Sequence, residues 1–170
     1  MNPFIEWLAA TPLSYNIGIA GWIIPTVQSI HILALAILFS SVLIVDLKVL
    51  GWAGHGQTLR VTLDRFVPWF WAALGVLAFT GLVMVIAEPV RELRSTSFWV
   101  KMGVLAIGIS MAIGLLRGVN RDAGRWEEDG ADKSKSRAWG IAMLVVWSAV
   151  ILLGRFIAYD NQLWGSLSAL

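Results

Sequence analysis

The chain has 170 residues, 58% of them hydrophobic and 14% charged, with a formal net charge of +2. A soluble domain is typically about 45–50% apolar and about 25% charged, so the bilayer is the expected solvent and a nucleic-acid surface is not expected. There is no cysteine, which excludes disulfides, thiolate metal sites, iron–sulfur ligation and a cysteine nucleophile.

At roughly 20 residues per span plus loops, this length predicts one transmembrane domain, residues 1–170, with about four helices. The opening MNPFIEWLAATP lacks a basic region and contains Glu6, so a cleavable signal peptide is not expected. Residues 3–20, moderately apolar with Pro3, Pro12 and Trp7, read as a short helix lying in the membrane interface. Span one covers 21–50 and is long enough to tilt. Span two covers 66–88 and stops where Pro89 follows, because the residue before proline disfavours helix. Span three covers 98–116 and span four 138–159. The polar stretch 117–137 between them, RGVNRDAGRWEEDGADKSKSR, reads as a solvated cytoplasmic loop, with a helical extension of span three as a further option. The expected fold is all-α, a polytopic four-helix transmembrane bundle with a short N-terminal interfacial helix.

Basic residues set the expected orientation. Lys48, Arg60, Arg65, Arg117, Arg121, Arg125, Lys133, Lys135 and Arg137 fall on one side, against Arg91, Arg94, Lys101 and Arg155 on the other. That bias places both termini on the non-cytoplasmic side of a bacterial inner membrane. Trp7, Trp22, Trp99 and Trp164 then fall at the outer boundary, and Trp52, Trp69, Trp71, Trp126 and Trp139 at the inner one, as an aromatic belt. Trp147 alone sits mid-span. Ala106, Ser110 and Gly114 form a small-residue stripe on span three, which predicts close packing within the chain or a face for a homo-oligomer or larger membrane complex.

Ionisable groups inside a membrane mark function or helix locking. His31 lies roughly 12 Å into span one at about 1.5 Å per residue, with Gln28 one turn nearer the outside and Asp46 near the cytoplasmic end. Glu88 closes span two, Lys101 opens span three and Arg155 sits about one turn inside span four. Four helices thus each bring one such group to the same end of the bundle. A Glu88–Arg155 or Glu88–Lys101 ion pair would lock the helices there. The sharper expectation is a haem b site, since neutral imidazole is a common axial ligand and helix bundles hold cofactors between facing helices. His31 would ligate the iron, Lys101 and Arg155 would face the propionates, and Gln28 and Glu88 would complete the lining. The other histidine, His55, lies in the turn GWAGHGQ at the opposite end, so Met84, Met102, Met111, a second subunit or a vacant position would complete the iron. Copper at His31 with methionines is a further option, without a Met-x-x-Met cluster to support it.

FIEWLAATPLSYNI, VQSIHILALAILFSSVLIVDLKVLG, PWFWAALGVLAFTGLVMVIAEPVRELRSTSFWVKM and GRFIAYD together resemble an uncharacterised bacterial family of small four-span membrane proteins. More loosely, a histidine in span one with a lysine opening span three resembles the CopD-type copper-resistance proteins and the HemJ-type protoporphyrinogen oxidases. That likeness implies His31 as haem or metal ligand and Lys101 as substrate or propionate partner. Span three, KMGVLAIGISMAIGLL, lacks the further histidines of those families.

Three functions remain open at this stage. One is a haem-binding or redox-associated subunit. The second is a cofactor-free packing or assembly subunit, and the third a small oligomeric transporter lined by Gln28, His31, Glu88 and Arg155. No serine sits in a nucleophile elbow and no glycine pattern opens a nucleotide site, so neither a soluble-type hydrolase nor a nucleotide enzyme is expected.

Overall fold

A computed structural model describes residues 3–53, 56–126, 133–159 and 164. Among these, all regular structure is helical. The N-terminal segment is two short helices rather than one, α1 (Pro3–Ala9) and α2 (Pro12–Ile19). Thr11 makes the break: its hydroxyl closes α1 by donating to the Leu8 carbonyl at 2.7 Å and caps α2 by accepting from the Ser14 amide at 3.3 Å. Pro12 follows in the first turn, where a missing amide proton costs nothing.

Four long apolar helices follow, α3 (Ile23–Val49), α4 (Leu59–Ala87), α6 (Thr96–Arg121) and α7 (Lys133–Phe156). Between α4 and α6 stands the short helix α5 (Pro89–Arg94). All four long helices carry segments long and apolar enough to cross a membrane. At 24 to 29 residues they measure about 36–44 Å, against a hydrocarbon core of about 30 Å. The chain is a multi-pass helical bundle.

α3 keeps within its expected span, whereas α4 and α7 start before theirs and α6 runs past its end. α4 starts at Leu59, and its first turns bury Leu59, Thr62 and Leu63 while Arg60, Asp64 and Arg65 are exposed. Pro68 sits inside α4 on its exposed side. α6 continues to Arg121, with Leu115 and Val119 buried and Arg117 and Arg121 exposed. The segment 117–137 is therefore helical at both ends, the first end as the optional extension of span three and the second as an earlier start of α7, and residues 127–132 lie outside those described. α3 ends in a Schellman motif. Gly51, at φ 76°, lets the Gly51 amide reach the Lys48 carbonyl (3.0 Å) and the Trp52 amide the Leu47 carbonyl (2.9 Å).

Contacts divide the chain into two compact units, each with a segment of all four long helices. The first (1–36, 73–102, 151–170) also holds α1, α2 and α5, with α1 packed against α5. Its N-terminal helices expose Phe4, Trp7, Leu13, Tyr15 and Ile19.

The second unit (37–72, 103–150) is built on tryptophans set against glycines. Trp147 is 1% exposed, meets Phe70 edge-on at 5.5 Å and 89°, and lies where a side chain on Gly108 would come within 3.2 Å. Trp139 covers Gly114 in the same way, Trp126 covers Gly118, and these two indoles meet edge-on at 6.0 Å. Trp126 and Trp139 thus cover α6, while Trp52 and Trp69 are exposed. The close approach on α6 uses Gly108, Gly114 and Gly118, whereas Ala106 and Ser110 are exposed and the Ser110 hydroxyl merely donates to the Ala106 carbonyl at 2.8 Å.

Candidate functional site

His31 is half-buried on the stripe of α3 that continues into the buried Ala34 and Leu38. Its Nδ1 lies 2.7 Å from the Oγ1 of Thr80, a residue of α4 that is 3% exposed. The same Oγ1 is 2.7 Å from the Val76 carbonyl oxygen one turn back. A carbonyl only accepts, and a threonine hydroxyl has one proton, so that proton goes to Val76. Thr80 therefore accepts from His31, the ring carries its proton on Nδ1, and Nε2 keeps its lone pair. A side chain at Gly81 would lie 3.8 Å from the Cε1 of His31, so the imidazole rests against α4.

Lys101, half-buried in the first turns of α6, lies along α7 at Gly154. A β-carbon there would stand 3.6 Å from both its Cε and its Nζ. The ammonium is close enough to interact electrostatically with His31 and with Glu92 of α5. Glu92 is 8% exposed and accepts from Arg91 at 3.1 Å, and Arg91 also pairs with Glu88 at 2.6 Å. Below this end, the Ser95 hydroxyl caps α6 by accepting from the Phe98 amide (3.1 Å), and Trp164 donates to the buried Ser97 hydroxyl (2.8 Å).

The expected site is thus only partly assembled. His31 packs on α4 and Lys101 on α7, within electrostatic range of one another. Gln28 and Arg155 are exposed, because their positions on α3 and α7 turn them away from the interior. Glu88 pairs with Arg91, three residues on in the adjoining helix, and not with Lys101 or Arg155 as expected; the short α5 after Pro89 brings that nearer partner. Met84 and Met102 are half-buried in the unit that holds His31, while Met111 belongs to the second unit. His55 lies outside the described residues. Thr80, Gly81, Glu92 and Gly154 were not singled out in the sequence. A lone threonine in VLAFTGLVMV was the one visible signal among them.

Among the described residues, no group of three or more His, Asp or Glu side chains could hold a metal ion. A bare cation would find one imidazole and, nearby, an ammonium of its own sign. A group that brings most of its own ligands and carries negative charge suits this pair better.

Residues 4–160 match the family model DUF6644, a family of unknown function. The chain belongs to DUF6644. Neither the curated proteins nor the solved structures contain a match to it. The matched residues include His31, Thr80, Glu92, Lys101 and Gly154.

Proposed function

We propose that this DUF6644 protein is a haem-binding, redox-associated subunit of the bacterial inner membrane, with both termini on the non-cytoplasmic side. The observation that carries the reading is the His31–Thr80 hydrogen bond, which orients the ring through Nδ1 and leaves Nε2 available. Metal-ligating histidines are commonly fixed in this way by a partner on the other nitrogen. Haem supplies four nitrogens itself, so one protein ligand suffices where a bare metal would need several. His31 would hold the iron and Lys101 the propionates, with Glu92 keeping the ammonium placed. When bound, haem would supply one-electron chemistry, and the chain would orient it and set its surroundings. Nine basic residues against four support the orientation.

The test is the absorption spectrum of the full chain, purified in mild detergent after expression with haem supplied, before and after dithionite. A stoichiometric Soret band that shifts on reduction and is lost in His31→Ala supports the reading. A flat spectrum from folded protein overturns it. The His31–Thr80 bond would then be a strut between α3 and α4 in a cofactor-free subunit, and His31→Ala would cost stability alone.

A further inference from the structure

Asp46 lies on α3 in the second unit with 0% of its surface exposed, and neither carboxyl oxygen has a hydrogen-bond partner among the described residues. Its neighbours along α3, Val42, Val45, Val49 and Leu50, are buried and apolar. Val45, the residue before it, and Val42, one turn back, help to line a small cavity of about 30 Å³ whose walls also include Leu63, Phe70, Leu115 and Met143. The one hydroxyl in that wall, Ser41, donates to the Ile37 carbonyl at 2.9 Å.

The charged groups of the surrounding elements point elsewhere. Arg60, Asp64 and Arg65 of α4, Arg117 and Arg121 of α6, and Lys135 and Arg137 of α7 are all exposed. Lys48 stands two residues on, about 200° around the helix at roughly 100° per residue. Ionised carboxylates inside a membrane-spanning segment are costly and are retained when paired. Among the described residues Asp46 has no such pairing.

We infer that Asp46 is a proton-binding site, a carboxyl that carries its proton within the membrane-spanning part of α3 at neutral pH. A proton is the one cation that can neutralise this group without further ligands. A sodium or divalent ion would require several more oxygens, and no cluster of acidic or histidine side chains that could hold a metal occurs among the described residues. Releasing the proton would leave a charge in an apolar interior, so release is coupled to loosening of the second unit. The site is independent of any role for His31.

The experiment uses the full chain in lipid vesicles with its aspartate side-chain carboxyls labelled with carbon-13, observed by NMR at neutral pH. One protonated aspartate resonance, absent in Asp46→Asn, is the expected result. Ionisation of every aspartate at neutral pH, or persistence of the protonated signal in folded Asp46→Asn, overturns the proposal. Should Asp46→Asn fail to fold, the native chain is treated with dicyclohexylcarbodiimide, whose carbodiimide takes up the carboxyl O–H and ends as an N-acylurea on a protonated acid. An adduct mapped to Asp46 supports the site; adducts on other acidic residues with Asp46 unmodified overturn it.

Discussion

His31 donates from Nδ1 to the Oγ1 of Thr80 across 2.7 Å, because Thr80 has already given its proton to the Val76 carbonyl. Two helices are joined and one tautomer is selected by a single hydroxyl. Replacing Thr80 with valine keeps the shape of the side chain and removes the acceptor. Thr80→Val should lower stability by about 1 kcal/mol, measured by unfolding in mixed detergent, and Thr80→Ser should restore most of it. If haem binds, Thr80→Val should also shift its midpoint potential, which a purely structural bond would leave unchanged.

The second unit makes a separate prediction, at Gly108. A β-carbon there would stand 3.2 Å from the Trp147 ring and from Val146, and the ring cannot retreat because Phe70 abuts it. Gly108→Ala should destabilise by about 1–3 kcal/mol through overpacking. Gly103, five residues earlier on α6, has nothing within 4 Å of such an atom. Gly103→Ala should therefore be neutral or stabilising, by up to about 1 kcal/mol from helix propensity. Equal losses at the two positions would show that packing against Trp147 is not what Gly108 provides.

The comparison of Gly108 with Ala106 also shows what could be read from the sequence. Four apolar runs were enough to place four membrane-crossing helices, since length and hydropathy act along the chain. Which side of a helix faces inward is a different matter. In lipid, the outward face is as apolar as the inward one, so periodicity carries little azimuthal information. Gln28 and Arg155 are expected to face the site, yet both are exposed; Ala106 and Ser110, expected to pack within the chain or to face a homo-oligomer, are exposed as well. The start of α4 at Leu59 is hidden for the converse reason, and the end of α6 at Arg121 is only hinted at. Arg60, Asp64, Arg65, Arg117 and Arg121 break the apolar run, although each is exposed on a helix whose other face is buried. Thr80 and Gly154 carry no charge, and only the fold reveals that they receive His31 and Lys101.

Orientation can be tested directly, because the chain has no native cysteine and any introduced thiol is the sole one. Arg94, at the end of α5, and Arg121, at the end of α6, are both exposed and bracket one membrane-crossing helix. With the basic bias on the cytoplasmic side, Arg94→Cys should react with a membrane-impermeant maleimide in cells with a permeable outer envelope. Arg121→Cys should react only after the inner membrane is opened. The reverse pattern would invert the assigned topology and put the His31 end of the bundle on the cytoplasmic side.

Lys101 offers the most demanding test of the site, because its charge and its position can be altered independently. Lys101→Met removes the ammonium and keeps the aliphatic stem along α7, whereas Gly154→Val leaves the charge and occupies the space in which Cε and Nζ now lie, 3.6 Å from a β-carbon at that position. If the ammonium neutralises haem propionates, each change should speed haem loss to a scavenger protein roughly tenfold, the equivalent of one charged hydrogen bond of about 1.5 kcal/mol. Lys101→Arg should retain most of the affinity, since a guanidinium serves the same carboxylates. A role limited to Glu92 predicts a different outcome. Lys101→Met and Glu92→Gln would then lower stability alike, and haem loss would stay as in the native chain. The two rates, read beside the unfolding midpoints, separate a ligand-facing lysine from one that only holds α5 to α6.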